Sequence, residues 1–315
     1  MKAGEKMRVA LLAGGKSGER EVSLAGAEGV LKALDKTRYQ VRRYDPATDL
    51  ARLADEAGQI DVAFILLHGP LGEDGSVQGF LDLLDIPYQG SGVLGSALAM
   101  DKDLAKQLYR QAGLRVPEWE MARRADLADP RRLLRSLAPP LVVKPVRQGS
   151  SLGMSIVDRE EDLPAALEKA FAFDDEVMVE EFIAGRELTG GVLGNSELTA
   201  LPLVEIIPGE DFRFFDYQAK YQPGASREIC PAELSPELSA EAQRCACLAH
   251  RVLRLRGYSR TDMILASNGL YVLETNTIPG MTPTSLLPQA AVAHGLSFSA
   301  LLDRLIELAL EGRRP

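Results

Sequence analysis

Three cysteines in 315 residues, with no metal-like spacing between them, give neither a disulfide framework nor a thiolate metal site. Positive charge is also scarce. Thirty-six Lys and Arg against 45 Asp and Glu leave a formal net charge of −9, which argues against nucleic acid or an anionic membrane as the main partner. An anionic substrate would need a local basic pocket. No long hydrophobic run is present: the longest, Val62 to Leu67, is far too short to cross a bilayer. Lys2, Lys6 and Arg8 ahead of Val9 to Ala13 mimic a signal peptide, but the apolar part is too short and Gly14-Gly15-Lys16-Ser17 offers no cleavage context. Neither a low-complexity tract nor an internal repeat occurs. The expectation is a cytoplasmic protein with reduced thiols, and Cys245 joins Ala242, Ala249 and Val252 in an apolar helical stripe.

With 46% hydrophobic and 26% charged residues, the composition is that of a globular protein of two or three domains. The first hundred residues alternate strand and helix signals: Val9 to Ala13, Glu21 to Leu34, Gln40 to Tyr44, then Val62 to Leu67. That alternation predicts a parallel α/β layer, with ligand loops at the carboxyl ends of strands, here Gly14 to Glu21 and His68 to Gly75. Asp101 opens a helix that stops at Gly113, a domain junction. From Leu141 the pattern changes to strands with tight turns, then a helix over 239–256, a hairpin over 260–276 and a terminal helix over 298–311.

Two nucleotide fingerprints are discounted. Residues 10–17 fit a phosphate loop only if Ala10 replaces its first glycine, and Gly90-Ser-Gly92-Val-Leu-Gly95 lies too late in its domain for a dinucleotide site. The loop from Lys144 to Ser155 is stronger. A lysine ending an apolar strand, followed by small residues, can offer an ammonium and backbone N–H groups to phosphate oxygens. Glu180-Glu181-Phe182-Ile183 with Glu187 suits adenine and ribose, although acidic strand edges are common.

Tyr271 to Ser285 carries the most chemistry. Period-2 geometry places Val272, Glu274 and Asn276 on one strand face, where carboxylate and carboxamide oxygens suit a hard cation such as Mg²⁺. Arg260 and Asp262 share a face of the preceding strand. Parity then decides the hairpin: a two-residue Asn268-Gly269 turn puts Asp262 opposite Thr275, on the wrong face. A three-residue loop, or an equivalent bulge, puts Asp262 opposite Glu274 and Arg260 opposite Asn276, and that pairing is the prediction. His68 leads into a glycine-rich polar loop, which favours a functional role. His250 and His294 read as structural.

Together these residues resemble the ATP-grasp ligases, specifically the D-alanine–D-alanine ligases, nearly from end to end. The landmarks are Gly14 to Ser23, His68 to Gly75, Met100 to Lys102, Lys144 to Ser155, Glu180 to Glu187, Tyr217 to Tyr221, Arg260 to Asp262 and Glu274 to Ser285. The resemblance implies a three-domain α/β protein divided as 1–101, 102–186 and 187–315, and amide formation through an acyl phosphate. It implies ATP as co-substrate, two D-alanines, two Mg²⁺ or Mn²⁺ ions, and a homodimer. It places Lys102 and Lys144 on the phosphates, Glu180 and Ile183 at adenine, Glu187 at ribose, and Asp262, Glu274 and Asn276 on the metals. Glu19 would hold the first D-alanine, closing a triad with Ser150 and Tyr221. His68 would lie near the second amino acid, whose carboxylate Lys220, Ser285 and Leu286 would hold, while Arg260 and the Gly280 N–H would steady the oxyanion. Departures are Phe215 for a tyrosine, Glu181 for a lysine, and Gly190-Gly191, which reads as added backbone freedom. Rival readings are a D-alanine–D-lactate ligase, disfavoured by Lys220-Tyr221, and a silent nucleotide-binding regulator, disfavoured by the retained Arg260, Glu274 and Asn276. An NAD-dependent oxidoreductase is a distant third.

Overall fold

The computed structural model describes residues 5–209 and 226–311. Strands β1 (Met7–Leu12), β2 (Tyr39–Tyr44) and β3 (Val62–Ile65) form a parallel sheet in the order β2-β1-β3. Four consecutive residues of β1 and all of β3 are buried, as a parallel sheet covered on both faces requires. Helices Arg20–Ala33 and Ser76–Leu83 follow the loops that leave β1 and β3.

A second sheet is antiparallel, with β4 (Trp119–Ala122), β5 (Leu141–Pro145), β6 (Ser155–Val157) and β7 (Val177–Glu181) in the order β4-β7-β5-β6. Helix Leu163–Phe171 closes one face of it, and Leu141, Val143, Leu167 and Val179 belong to a separate core. The third sheet is also antiparallel and has six strands among the described residues. Its strands are β8 (Arg186–Gly194), β9 (Leu198–Ala200), β10 (Val204–Pro208), β11 (Ser226–Ile229), β12 (Gly257–Ala266) and β13 (Gly269–Asn276), in the order β11-β10-β8-β12-β13 with β9 beside β8.

Helix Pro236–Val252 covers one face of the third sheet. The other face meets helices Leu286–Ala293 and Phe298–Leu310 in a core shared with β1 and β3. The first and third sheets are thus joined by one hydrophobic core, whereas the second has its own. Helix Lys102–Gln111 sends Ala105 and Tyr109 into the third sheet's core. Asp101 caps it by accepting the Leu104 N–H at 3.0 Å, and Gly113, at φ +84°, ends the segment.

Gly190 and Gly191 correct the expectation of added freedom. They lie mid-strand in β8, paired with Thr261 and Arg260 of β12. A Cβ on Gly190 would sit 2.9 Å from the Ala246 methyl, and one on Gly191 would sit 3.0 Å from both Leu201 and Leu287. They let a helix approach each face of the sheet, so their purpose is packing.

Candidate active site between the second and third sheets

The β12–β13 hairpin sets the site. Arg260 pairs with Asn276, Thr261 with Thr275 and Asp262 with Glu274, as parity predicts. The means is the bulge and not the three-residue loop. Ala266 pairs with Gly269 across a two-residue turn, and the register shifts between Asp262 and Met263, where β13 carries Leu273 as one extra residue. That residue also corrects the expected faces. Val272 turns into the core with Met263, while Leu273 joins Glu274 in lining the cleft. Beneath them the Tyr109 hydroxyl donates to Thr275 Oγ1 at 2.7 Å, which itself lies 3.0 Å from Thr261 Oγ1, fixing both strands from the buried side.

One cleft gathers the residues expected at the nucleotide and two of the three expected at the metals. Lys102, Lys144, Asp262 and Glu274 line it together with Ile183 and Glu187. Asp262 is held by Arg260, through Nε to Oδ1 at 2.8 Å and Nη2 to Oδ2 at 2.7 Å, and Asn276 donates to Oδ2 at 3.1 Å. Burial works against the Arg260 charge. Asp262, with Glu274 and Glu73 further off, outweighs it and raises the guanidinium above its ordinary range. Lys102 Nζ stands 3.4 Å from Glu274 and donates to the Gln148 carbonyl at 2.8 Å.

Among the described residues no group of three or more His, Cys, Asp or Glu side chains is placed to hold a metal ion. Asp262 and Glu274 supply two carboxylates and Asn276 a carboxamide oxygen, all from paired strands. This hard-oxygen set fits Mg²⁺ or Mn²⁺ only if nucleotide phosphates and water complete the coordination.

The glycine-rich loops meet on the far side of Lys102. Ser150 Oγ donates to Glu19, a residue only 7% exposed. Gly149 and Gly69 make room for that contact: a Cβ on either would lie 2.8 or 3.0 Å from Glu19 Oε2. Ser150 and Ser151 both adopt positive φ, at +50° and +57°, which is unusual for non-glycine residues. His68 is buried, and that burial lowers its pKa. The Glu19 carboxylate pulls the other way, Arg260 reinforces the fall, and an Ile278 backbone contact partly opposes it. Gly14 and Gly15 donate their N–H groups to Ser23 Oγ and Asp45 Oδ1 at 2.8 and 2.9 Å, so two amides of the discounted phosphate-loop sequence are occupied by the protein itself.

Beyond Arg260, Gly280 packs against Ser285, where a Cβ would lie 3.1 Å from Oγ. Ser285 precedes helix Leu286–Ala293, and its Oγ accepts the Thr282 N–H at 3.1 Å. Lys220, Tyr221 and Phe215 lie outside the described residues.

Glu180 differs from expectation in its surroundings. Both oxygens of its side chain are engaged, by Lys144 and by Lys106, each at 2.5 Å. Lys106 was missed in the sequence, although its four-residue spacing from Lys102 puts both on one helix face. Glu73, within the quoted loop from His68 to Gly75, was also missed. It accepts the Gly69 N–H at 2.8 Å and the Ile278 N–H at 3.3 Å, tying the loop after β3 to the segment that follows β13. Burial, then the nearby Glu19 charge, pushes its carboxyl up to about 8, against the pull of both N–H groups and Arg260.

Comparison with known proteins gives this arrangement its context. The D-ala D-ala ligase C-terminus family model matches residues 108–307, and the N-terminus model matches residues 45–91. A D-alanine–D-alanine ligase of Syntrophobacter fumaroxidans is 60% identical over 307 residues, covering 98% of this chain and 99% of the relative. Among solved structures, the D-alanine–D-alanine ligase of Bacillus anthracis complexed with ATP superimposes with a TM-score of 0.84 at 35% identity, covering 96% of this chain and 97% of that one. A D-Ala:D-Ser ligase from Enterococcus faecalis superimposes with a TM-score of 0.83 at 33% identity, covering 97% and 100%. A family model spanning more than half the chain, and a 60% identical relative matched over almost its whole length, place this protein in the D-alanine–D-alanine ligase family.

Proposed function

We infer that this ATP-dependent ligase joins two D-alanines into D-alanyl-D-alanine, a precursor for cell-wall peptidoglycan, releasing ADP and phosphate. The observation that carries the reading is the strand pairing of Asp262 with Glu274 and of Arg260 with Asn276 beside Lys102. This arrangement brings two carboxylates, a carboxamide, a guanidinium and an ammonium together.

A carboxylate attacking ATP meets charge repulsion. Lys102 and Lys144 would neutralise the phosphates, with Ile183, Glu187 and the Glu180 backbone holding the nucleoside. Asp262, Glu274 and Asn276 would hold two Mg²⁺ or Mn²⁺ ions, whose chemistry is to offset phosphate charge and align the transferring group. Glu19, fixed by Ser150 and completed by Tyr221, would bind the ammonium of the first D-alanine and leave its carboxylate free to take the phosphoryl group. The acyl phosphate hydrolyses readily in water, which gives the Ser150 loop a reason to close over it.

The second amine must then attack uncharged. His68, whose charged form burial disfavours, would lie near that amine and accept or relay its proton. Lys220, Ser285 and the Leu286 N–H would hold the second carboxylate. Arg260 and the Gly280 N–H would stabilise the tetrahedral oxyanion. The likeness to a D-Ala:D-Ser ligase leaves the second substrate to be settled by chemistry, and the Lys220-Tyr221 pair favours D-alanine over D-lactate. The same reading expects a cytoplasmic homodimer. Among the described residues no helix is long and apolar enough to cross a membrane.

The test is phosphate release from ATP with D-alanine, L-alanine, or D-alanine plus D-lactate, with products identified by mass. D-alanyl-D-alanine as the product, made only with the D isomer, is expected. Release without a dipeptide, or a depsipeptide as the main product, would refute the reading.

A further inference from the structure

Lys106 is fully buried, yet it lies one helical turn beyond Lys102 and bonds to a residue lining the nucleotide cleft. Its ammonium is 2.5 Å from Glu180 Oε2, 3.3 Å from the Pro117 carbonyl and 5.3 Å from the centre of the Trp119 ring. Lys144 holds the other oxygen of the same carboxylate, also at 2.5 Å. The side chains of Lys106, Lys144 and Glu180 are 0%, 9% and 4% exposed, so water screens none of these charges well.

This geometry poses a problem for nucleotide binding. An ammonium spent on Glu180 is not fully available to a phosphate, and moving Lys144 toward a phosphate leaves Glu180 a buried carboxylate short of a partner. A buried charge stripped of its counter-ion is strongly disfavoured. Lys106 resolves the conflict. With it the trio carries two positive charges against one negative, and the surplus lies at the Lys144 end, which opens on the cleft. Without it the pair is neutral and Lys144 is bound to Glu180 as that group's sole cation. Lys106 cannot reach a ligand itself, because it has no exposed surface and does not line the cleft.

We propose that Lys106 is a positioning residue for ATP: it is the resident counter-ion of Glu180, and it frees the Lys144 ammonium for the nucleotide phosphates. The inference rests on the reading of Lys144 as a phosphate ligand. The electrostatics of the trio agree with it. Burial lowers the Lys106 pKa while Glu180 acts to restore it, and the two ammonium groups overcome burial to lower the Glu180 carboxyl. Lys106 and Glu180 therefore both carry their charges at neutral pH.

The test compares wild type, Lys106→Met, Lys106→Arg, Glu180→Gln, Lys144→Met and the double variant Lys106→Met/Glu180→Gln. The measurements are steady-state kinetics and direct titration with ADP and with adenosine. Lys106→Met should raise the KM for ATP at least about tenfold, the scale of a lost buried charge contact, and leave the KM for D-alanine within about twofold. ADP binding should weaken with it while adenosine binding holds, because only the phosphates need Lys144. Lys106→Arg should restore most of the loss. In the double variant the carboxylate is gone, so removing Lys106 should cost ATP binding far less than it does alone. An unchanged KM for ATP in folded Lys106→Met would overturn the proposal, as would equal losses for ADP and adenosine, or a double variant in which the two losses simply add. Should Lys106→Met not fold, Lys106→Gln and the double variant carry the same comparison. If instead wild type makes no dipeptide, or Lys144→Met binds ADP normally, it is the functional reading beneath the proposal that has failed.

Discussion

Asp262 and Glu274 face each other across adjacent antiparallel strands because β13 carries Leu273 as an extra residue between the turn and the site. Were the register at the hairpin tip continued without a bulge, Asp262 would oppose Leu273 and the acidic pair would be lost. Glu274→Ala should therefore remove a donor without disturbing the fold. We expect turnover to fall by at least about 100-fold at ordinary Mg²⁺, with a melting temperature near that of wild type. Steady-state kinetics and a thermal scan check both halves.

Gly149 lies so close to Glu19 that an added methyl group would stand 2.8 Å from a carboxylate oxygen. Gly149→Ala should displace the Ser150 loop and break its hydrogen bond to Glu19. A hydrogen bond to a charged group is worth about 1.5–3 kcal/mol, so the KM for D-alanine should rise by roughly 10- to 150-fold. The KM for ATP should move little. Initial-rate measurements varying one substrate at a time separate the two.

Much of this site was legible in the chain. Asp101 and Gly113 bracket their helix with local chemistry, and two-residue periodicity with turn parity sets Asp262 beside Glu274. The bulge was harder to place, because Leu273 sits in an apolar run with no glycine or turn residue to mark it. Glu73 meets Ile278 205 positions away, and Lys106 acquires its meaning only once β7 brings Glu180 to the helix. Both contacts are long-range, and no local pattern encodes them. Gly190 and Gly191 were misread for a related reason: their crowding comes from helices that reach the two sheet faces from distant segments.

Gly190→Ala separates those two readings by sign. Were backbone freedom the point, alanine would stabilise the protein by about 0.4–1 kcal/mol. The 2.9 Å approach to the Ala246 methyl instead predicts a loss of about 1–3 kcal/mol, seen as a lower denaturation midpoint.

His250 offers a pH test away from the active site. It is 1% exposed, its Nδ1 lies 2.8 Å from Ser259 Oγ, and burial, helped by Arg251, depresses its pKa to about 4. The unfolded chain protonates this imidazole near 6.5 and the folded protein only near 4. Its contribution is thus full above pH 6.5 and is lost as pH falls toward 4, by up to about 3 kcal/mol. Urea midpoints across that window should decline for wild type, and His250→Gln should flatten the slope.

The central claim is that paired strands present oxygen donors to divalent ions bound with a nucleotide. Counting Mn²⁺ bound alongside a non-hydrolysable ATP analogue, by electron paramagnetic resonance, tests it most directly. Two tightly held ions per chain in wild type, with weakened binding in Glu274→Ala, are predicted. The same number held equally tightly by the variant would contradict the account.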